Sequence, residues 1–197
     1  GTGTLALAAA ARGWTATGID LSPALLDRAR AKDGASAVRW LEGDLEGLDL
    51  VERFDLITCV GDVLNHLESI EAWGRVFERF AAHLEPGGWL FFDAMSARGL
   101  SLLDTYTVHD RPDGAFLLGI VWEPERRRST LKLTTYVPEG EGLFRRHSAS
   151  IPEWAQSWSA IEERLGAAGF ATIERPFATA DDPEREERIA VLARRVS

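Results

Sequence analysis

With 197 residues and 45% hydrophobic side chains, the chain can bury one sizeable core and is too short to require two domains. Twenty-two Lys and Arg against 31 Asp and Glu leave a formal charge of −9, which argues against nucleic acid or an anionic membrane as partner. Cys59 is the only cysteine, so neither an internal disulfide nor a cysteine-based zinc cluster fits, and a cytoplasmic location is expected. No apolar run approaches the roughly 20 residues of a membrane span. The four His are scattered without ligand spacing, and no metal is expected.

Taken in chain order, Thr4 to Arg12 is rich in strong helix formers and is followed by Gly13, the usual residue just past a helix end. "TATGID" reads as a short buried strand ending in an acid. Ser22 and Pro23 then supply an N-cap and a first-turn proline for the helix "ALLDRARAK". "AVRWLEGDL" is a second strand running into Gly43 and Asp44, and "FDLITCV" a third, apolar enough to be covered on both faces. From Ser69 to Leu84, the positions Ile70, Trp73, Phe77, Phe80 and Leu84 form one helical face. "EPGG" ends that helix and "WLFFDAM" is the next strand. Alternating strands and helices of this kind build an α/β fold: an open, mostly parallel, Rossmann-like sheet with helices on both faces.

The pattern changes after Gly99. "AFLLGIVWEP", "STLKLTTYVP" and "GLFRRHSASI" predict an antiparallel meander inserted in the C-terminal half. Its aromatics, with neighbouring Trp154 and Trp158, are candidates for lining a pocket, although aromatics at strand spacing are mostly core. Helical periodicity returns at "SAIEERLGAAGF", with a capping box read at Ser159 and Glu162 and a stop at Gly169. "ATIERPF" and "RIAVLARR" are the final strands, the last expected to run antiparallel. The whole reads as one domain over 1–197: a cofactor-binding half at 1–99, a β cover at about 100–152, and a final helix and strand pair at 153–197.

Gly1 and Gly3 sit where a turn enters a helix, so backbone amides can face a ligand there. Gly1-Thr-Gly3-Thr-Leu-Ala6 satisfies the alanine-ended dinucleotide pattern, and Asp20 ends the next strand at the spacing that accepts ribose hydroxyls. These residues imply an adenosine cofactor more firmly than they imply which one.

"GTGTLALAAAARGWTATGIDLSPALLDRAR", "EGDL", "FDLITCVGDVLNHL" and "LEPGGWLFFDAM" resemble, in order and spacing, the motifs of the class I S-adenosylmethionine-dependent methyltransferases over the first half of the chain. The resemblance implies methyl transfer from S-adenosylmethionine to a small-molecule acceptor. It places Gly1, Thr2 and Gly3 under the methionine part of the cofactor, Asp20 and Leu21 at the ribose, and Asp44 with Leu45 at the adenine. Cys59, Val60 and Gly61 would flank the sulfonium, with Cys59 a small buried residue rather than a nucleophile. Asp62, Asn65 and His66 border the place where the methyl group points and are the candidate catalytic residues; each could instead cap or bridge the following helix. Asp93 ends its strand at the ligand-bearing edge.

The family's first motif begins with a strand and an acid that this chain lacks before Gly1, and an amino-terminal truncation is therefore expected. Two rival readings stay open: an NAD(P)-dependent oxidoreductase, resting on the Gly-x-Gly-x-x-Ala pattern, and a non-catalytic fragment of a cofactor-binding fold.

Overall fold

A computed structural model describes residues 1–34, 37–111 and 114–196. The chain divides into two compact units, Gly1–Leu50 and Val51–Ser197.

The first unit comprises α1 (Thr4–Ala10), β1 (Ala16–Asp20), α2 (Pro23–Lys32) and β2 (Val38–Glu42). β1 and β2 pair in parallel, with Ala16 opposite Val38 and Asp20 opposite Glu42. The Ser22-Pro23 signal is realised: the Ser22 hydroxyl accepts from the Leu25 N–H at 3.4 Å and Pro23 opens the helix. Trp40 explains two glycines, because a Cβ would come within 2.5 Å of its ring at Gly3 and 2.3 Å at Gly18. Gly3 also sits at φ +80°, where a side chain is strained. The Trp40 indole N–H donates to Asp33 at 3.1 Å. N–H groups of Ala37 and Val38 bind the same carboxylate, and these bonds, that from Ala37 foremost, hold its pKa below the usual range.

The second unit contains β3 (Phe54–Cys59), α3 (Ile70–His83), β4 (Leu84–Met95), α4 (Ala97–Leu102), α5 (Trp158–Ala167), β9 (Phe170–Glu174) and β10 (Arg188–Arg195). Its main sheet has the order β3-β4-β10-β9. β3 and β4 are parallel while β10 is antiparallel to β4 and β9, so β3, β4 and β9 point one way and the last strand is reversed, as expected. The core is built by Trp73, Phe77 and Phe80 of α3, Leu90 and Phe92 of β4, Ile161 and Leu165 of α5, and Val191 of β10, all buried. Phe77 packs on Phe92 with ring centroids 5.4 Å apart. Burying side chains of this size stabilises by about 1.5–3 kcal/mol each. α3 begins after Ser69, whose hydroxyl caps it by accepting from the Ala72 N–H at 3.2 Å.

Two sequence expectations shift. The N-cap of α5 is Ser157, which accepts from the Ala160 N–H at 3.4 Å, not Ser159 with Glu162. The start is fixed from a distance, because the Glu184 carboxylate accepts from the Trp158 N–H at 2.7 Å. The meander has four strands rather than three: β5 (Thr105–Arg111), β6 (Gly114–Glu123), β7 (Arg128–Gly140) and β8 (Leu143–Trp154), in that order. β5, "TYTVHDR", has no apolar run to announce it and is specified by pairing with β6, where His109 stacks on Phe116 at 4.3 Å. Among the described residues no helix is long and apolar enough to cross a membrane.

Candidate active site

In the first unit the cofactor candidates gather at the carboxyl ends of β1 and β2, the edge where open α/β sheets bind ligands. Asp20 ends β1 with its side chain 23% exposed. One carboxylate oxygen accepts from the Ser22 N–H at 2.8 Å and the other is paired with the Gly1 amino group. Burial pushes the Asp20 pKa up, but these hydrogen bonds and the nearby positive charge outweigh it and hold the carboxyl below its ordinary value. An ionised carboxylate fixed by its own loop keeps lone pairs for a pair of hydroxyls, and it fits a ribose. Leu21 is exposed, Thr2 and Leu45 are partly so, and Asp44 is exposed with its carboxylate accepting from the Glu46 N–H at 3.1 Å.

In the second unit, β3 ends in Cys59, 6% exposed, whose thiol is pushed up to about 12 by burial and by the Asp93 carboxylate. At neutral pH it is an uncharged apolar group, as the sequence suggested. The chain then turns through Val60, 37% exposed, and two left-handed residues, Gly61 at φ +88° and Asp62 at φ 62°. Asp93, near the end of β4, holds this turn by accepting from the N–H groups of Gly61 (2.7 Å) and Asp62 (3.3 Å). Its second oxygen binds Arg188 at 2.8 Å, and Arg188 also grips Asp62 through both guanidinium nitrogens. Two carboxylates on one guanidinium leave this turn negative, the sign that suits a sulfonium.

The 3-10 turn Val63–His66 follows. Asn65 is fully buried and its amide is spent on backbone: it donates to the carbonyls of Met95 (2.9 Å) and Trp154 (3.0 Å) and accepts from the Met95 N–H (2.8 Å). His66 is 45% exposed, with Nδ1 3.3 Å from the Pro152 carbonyl and Nε2 4.0 Å from Glu153 Oε1. Burial raises the Glu153 pKa, against the pull of His66; Asp62 adds to the rise and Arg188 opposes it.

The expected trio thus separates. His66 is exposed and Asp62 is held by Arg188, whereas Asn65 joins the turn to the ends of β4 and β8. Arg188 and Glu153 were not among the expected residues. Arg188 had a signal, since the first residue of a reversed last strand must lie at the carboxyl edge of its neighbours; Glu153 had none, being joined to His66 only by the folding of the meander. Of the meander aromatics, Tyr106 and Phe144 are exposed, and Trp158 lies under the Arg175 guanidinium at 5.8 Å. Among the described residues no group of three or more His, Cys, Asp or Glu is placed to hold a metal ion.

Residues 1–88 match the family of methyltransferase domains. A protein of Geobacillus sp. (strain WCH70) that carries a methyltransferase name is 26% identical over 203 residues, covering 99% of this chain and 81% of its own. A ubiquinone biosynthesis O-methyltransferase of Coxiella burnetii (strain RSA 493 / Nine Mile phase I) is 34% identical over 99 residues, 49% of this chain and 41% of that one. The crystal structure of an S-adenosylmethionine-dependent methyltransferase from Clostridium acetobutylicum ATCC 824 superposes with a TM-score of 0.83 at 23% identity, over 100% of this chain and 81% of that one, and shows the same fold. Fold and motifs together define a Rossmann-like methyltransferase. Over residues 1–88 the chain matches the methyltransferase-domain family, and its fold is that of S-adenosylmethionine-dependent methyltransferase structures.

Proposed function

We propose that the enzyme methylates a small-molecule acceptor, with Asp20 holding the cofactor ribose and the turn after β3 presenting the acceptor-side residues. The observation that carries this reading is the Asp20 carboxylate, oriented at the end of β1 by the Ser22 N–H. When bound, S-adenosylmethionine supplies a methyl group on a positive sulfur, whose C–S bond breaks with its electron pair left on sulfur. The protein's own work is alignment and exclusion of water, worth up to about 7–11 kcal/mol in favourable cases. Asp93 and Arg188 fix the Gly61–Asp62 turn, Asn65 positions the 3-10 turn, and His66 removes the acceptor's proton, a step worth about 10²–10⁴-fold. The formal charge of −9 disfavours a nucleic-acid acceptor, and a single buried, uncharged thiol accords with a cytoplasmic setting.

Calorimetry with S-adenosylhomocysteine and with NADH tests the reading. Binding of the homocysteine compound, weakened by Asp20→Asn, is expected. Binding of NADH in its place overturns it in favour of an oxidoreductase, and binding of neither favours a non-catalytic fold.

A further inference from the structure

His66 and Glu153 stand side by side, His66 half open to solvent and Glu153 largely covered. Their 4.0 Å separation is too long for a direct hydrogen bond. Nδ1 of His66 faces a carbonyl oxygen, which only accepts, so Nδ1 carries a proton and, in the neutral ring, Nε2 offers a lone pair. Beside it, the Glu153 carboxylate receives no hydrogen bond among the described residues and is held with its side chain only 19% exposed. The partly buried Glu153 is faced by His66, Asp62 and Arg188. Two acceptors therefore stand side by side with no donor shared between them.

Resting on the methyltransferase reading, we infer that the group methylated is a primary or secondary amine that binds between His66 and Glu153 as its ammonium ion. One nitrogen placed about 2.9 Å from both Nε2 and Oε1 subtends an angle of roughly 90° across the gap. Tetrahedral N–H bonds then bend by only about 10° each to meet both acceptors, well inside hydrogen-bond tolerance. A hydroxyl has a single proton and leaves one of the two unsatisfied, at the cost attached to a desolvated acceptor. The positive charge also answers the carboxylate, which keeps Glu153 ionised despite its burial.

His66 Nε2 takes one proton from the bound ammonium, and Glu153 stabilises the imidazolium that results. The neutral amine turns about its remaining hydrogen bond to Glu153 so that its lone pair leaves Nε2 and forms the new N–CH₃ bond as the C–S bond breaks onto sulfur; the product leaves as the methylated ammonium and the exposed His66 returns its proton to water. Glu153 is thereby the specificity determinant and His66 the base.

Three measurements on the full-length protein decide it. Nitrogen-15 NMR of His66 at neutral pH is expected to show the proton on Nδ1; a proton on Nε2 overturns the inference. Incubation of an extract of primary and secondary amines mixed with alcohols and phenols with the protein and S-adenosylmethionine carrying a carbon-13 methyl group is expected to yield label on nitrogen. Label on oxygen or carbon overturns the inference while leaving the methyltransferase reading intact, whereas no labelled product overturns that reading itself. For the amine so identified, Glu153→Gln is expected to raise KM about tenfold or more with S-adenosylhomocysteine binding unchanged, and Glu153→Asp to recover part of the loss. An unchanged KM in Glu153→Gln refutes the contact.

Discussion

Asn65→Ala removes an amide that makes three hydrogen bonds, two to Met95 and one to the Trp154 carbonyl, from a side chain with no exposed surface. Each such bond contributes about 0.5–1.5 kcal/mol net, and partners left unsatisfied in a buried setting add about 1–3 kcal/mol. The expected loss is about 3–5 kcal/mol, a large share of the roughly 5–15 kcal/mol that holds a typical domain together. At about 2–4 °C per kcal/mol for a chain of this size, the melting temperature should fall by roughly 10 °C. Urea titration followed by tryptophan fluorescence measures the free energy, and calorimetry the midpoint. Asn65→Asp sharpens the test, because an ionised carboxylate would face two carbonyl oxygens where the amide had donated. That variant should be at least as unstable near neutrality and recover partly in acid, where a protonated Asp regains one O–H donor. A loss below about 1 kcal/mol for the alanine variant would refute the reasoning.

Asp20→Asn should weaken S-adenosylhomocysteine binding by about tenfold to a hundredfold, the worth of a hydrogen bond to a charged group, as read by calorimetry. Gly61 and Gly3 both have positive φ, but only at Gly3 would a Cβ meet the Trp40 ring. Gly61→Ala should therefore cost about 1–2 kcal/mol for its backbone alone, and Gly3→Ala at least about 1 kcal/mol more, followed by thermal denaturation; equal costs would contradict the packing described. Cys59, with its pKa pushed up to about 12, should resist iodoacetamide at pH 8 in the native protein and react only after unfolding. Rapid native alkylation would show the thiol to be exposed or activated.

Local signals were legible and distant ones were not. The cap at Ser22, the strand ending in Asp20 and the buried thiol at the end of β3 all follow from residues close in sequence. Ser157 was missed as a cap because the acid that fixes its helix, Glu184, lies beyond the helix and the strand after it. β5 was missed because its polar, β-branched sequence becomes a strand only against β6. At the candidate site, "GDVLNHL" pointed to a segment without dividing its labour. That Asn65 is consumed by Trp154, 89 positions away, while His66 stays open beside Glu153, depends on contacts that no sequence spacing encodes.

The strand that comes last in the second unit, β10, lies inside its sheet between β4 and β9 and buries Ile189, Val191 and Ala193. During synthesis, β4 and β9 have no means of joining until residue 195 has left the ribosome, and such distant pairings slow folding. A nonsense codon at Arg188 would remove this strand with everything after it and leave both neighbours with open edges, inviting association between nascent chains.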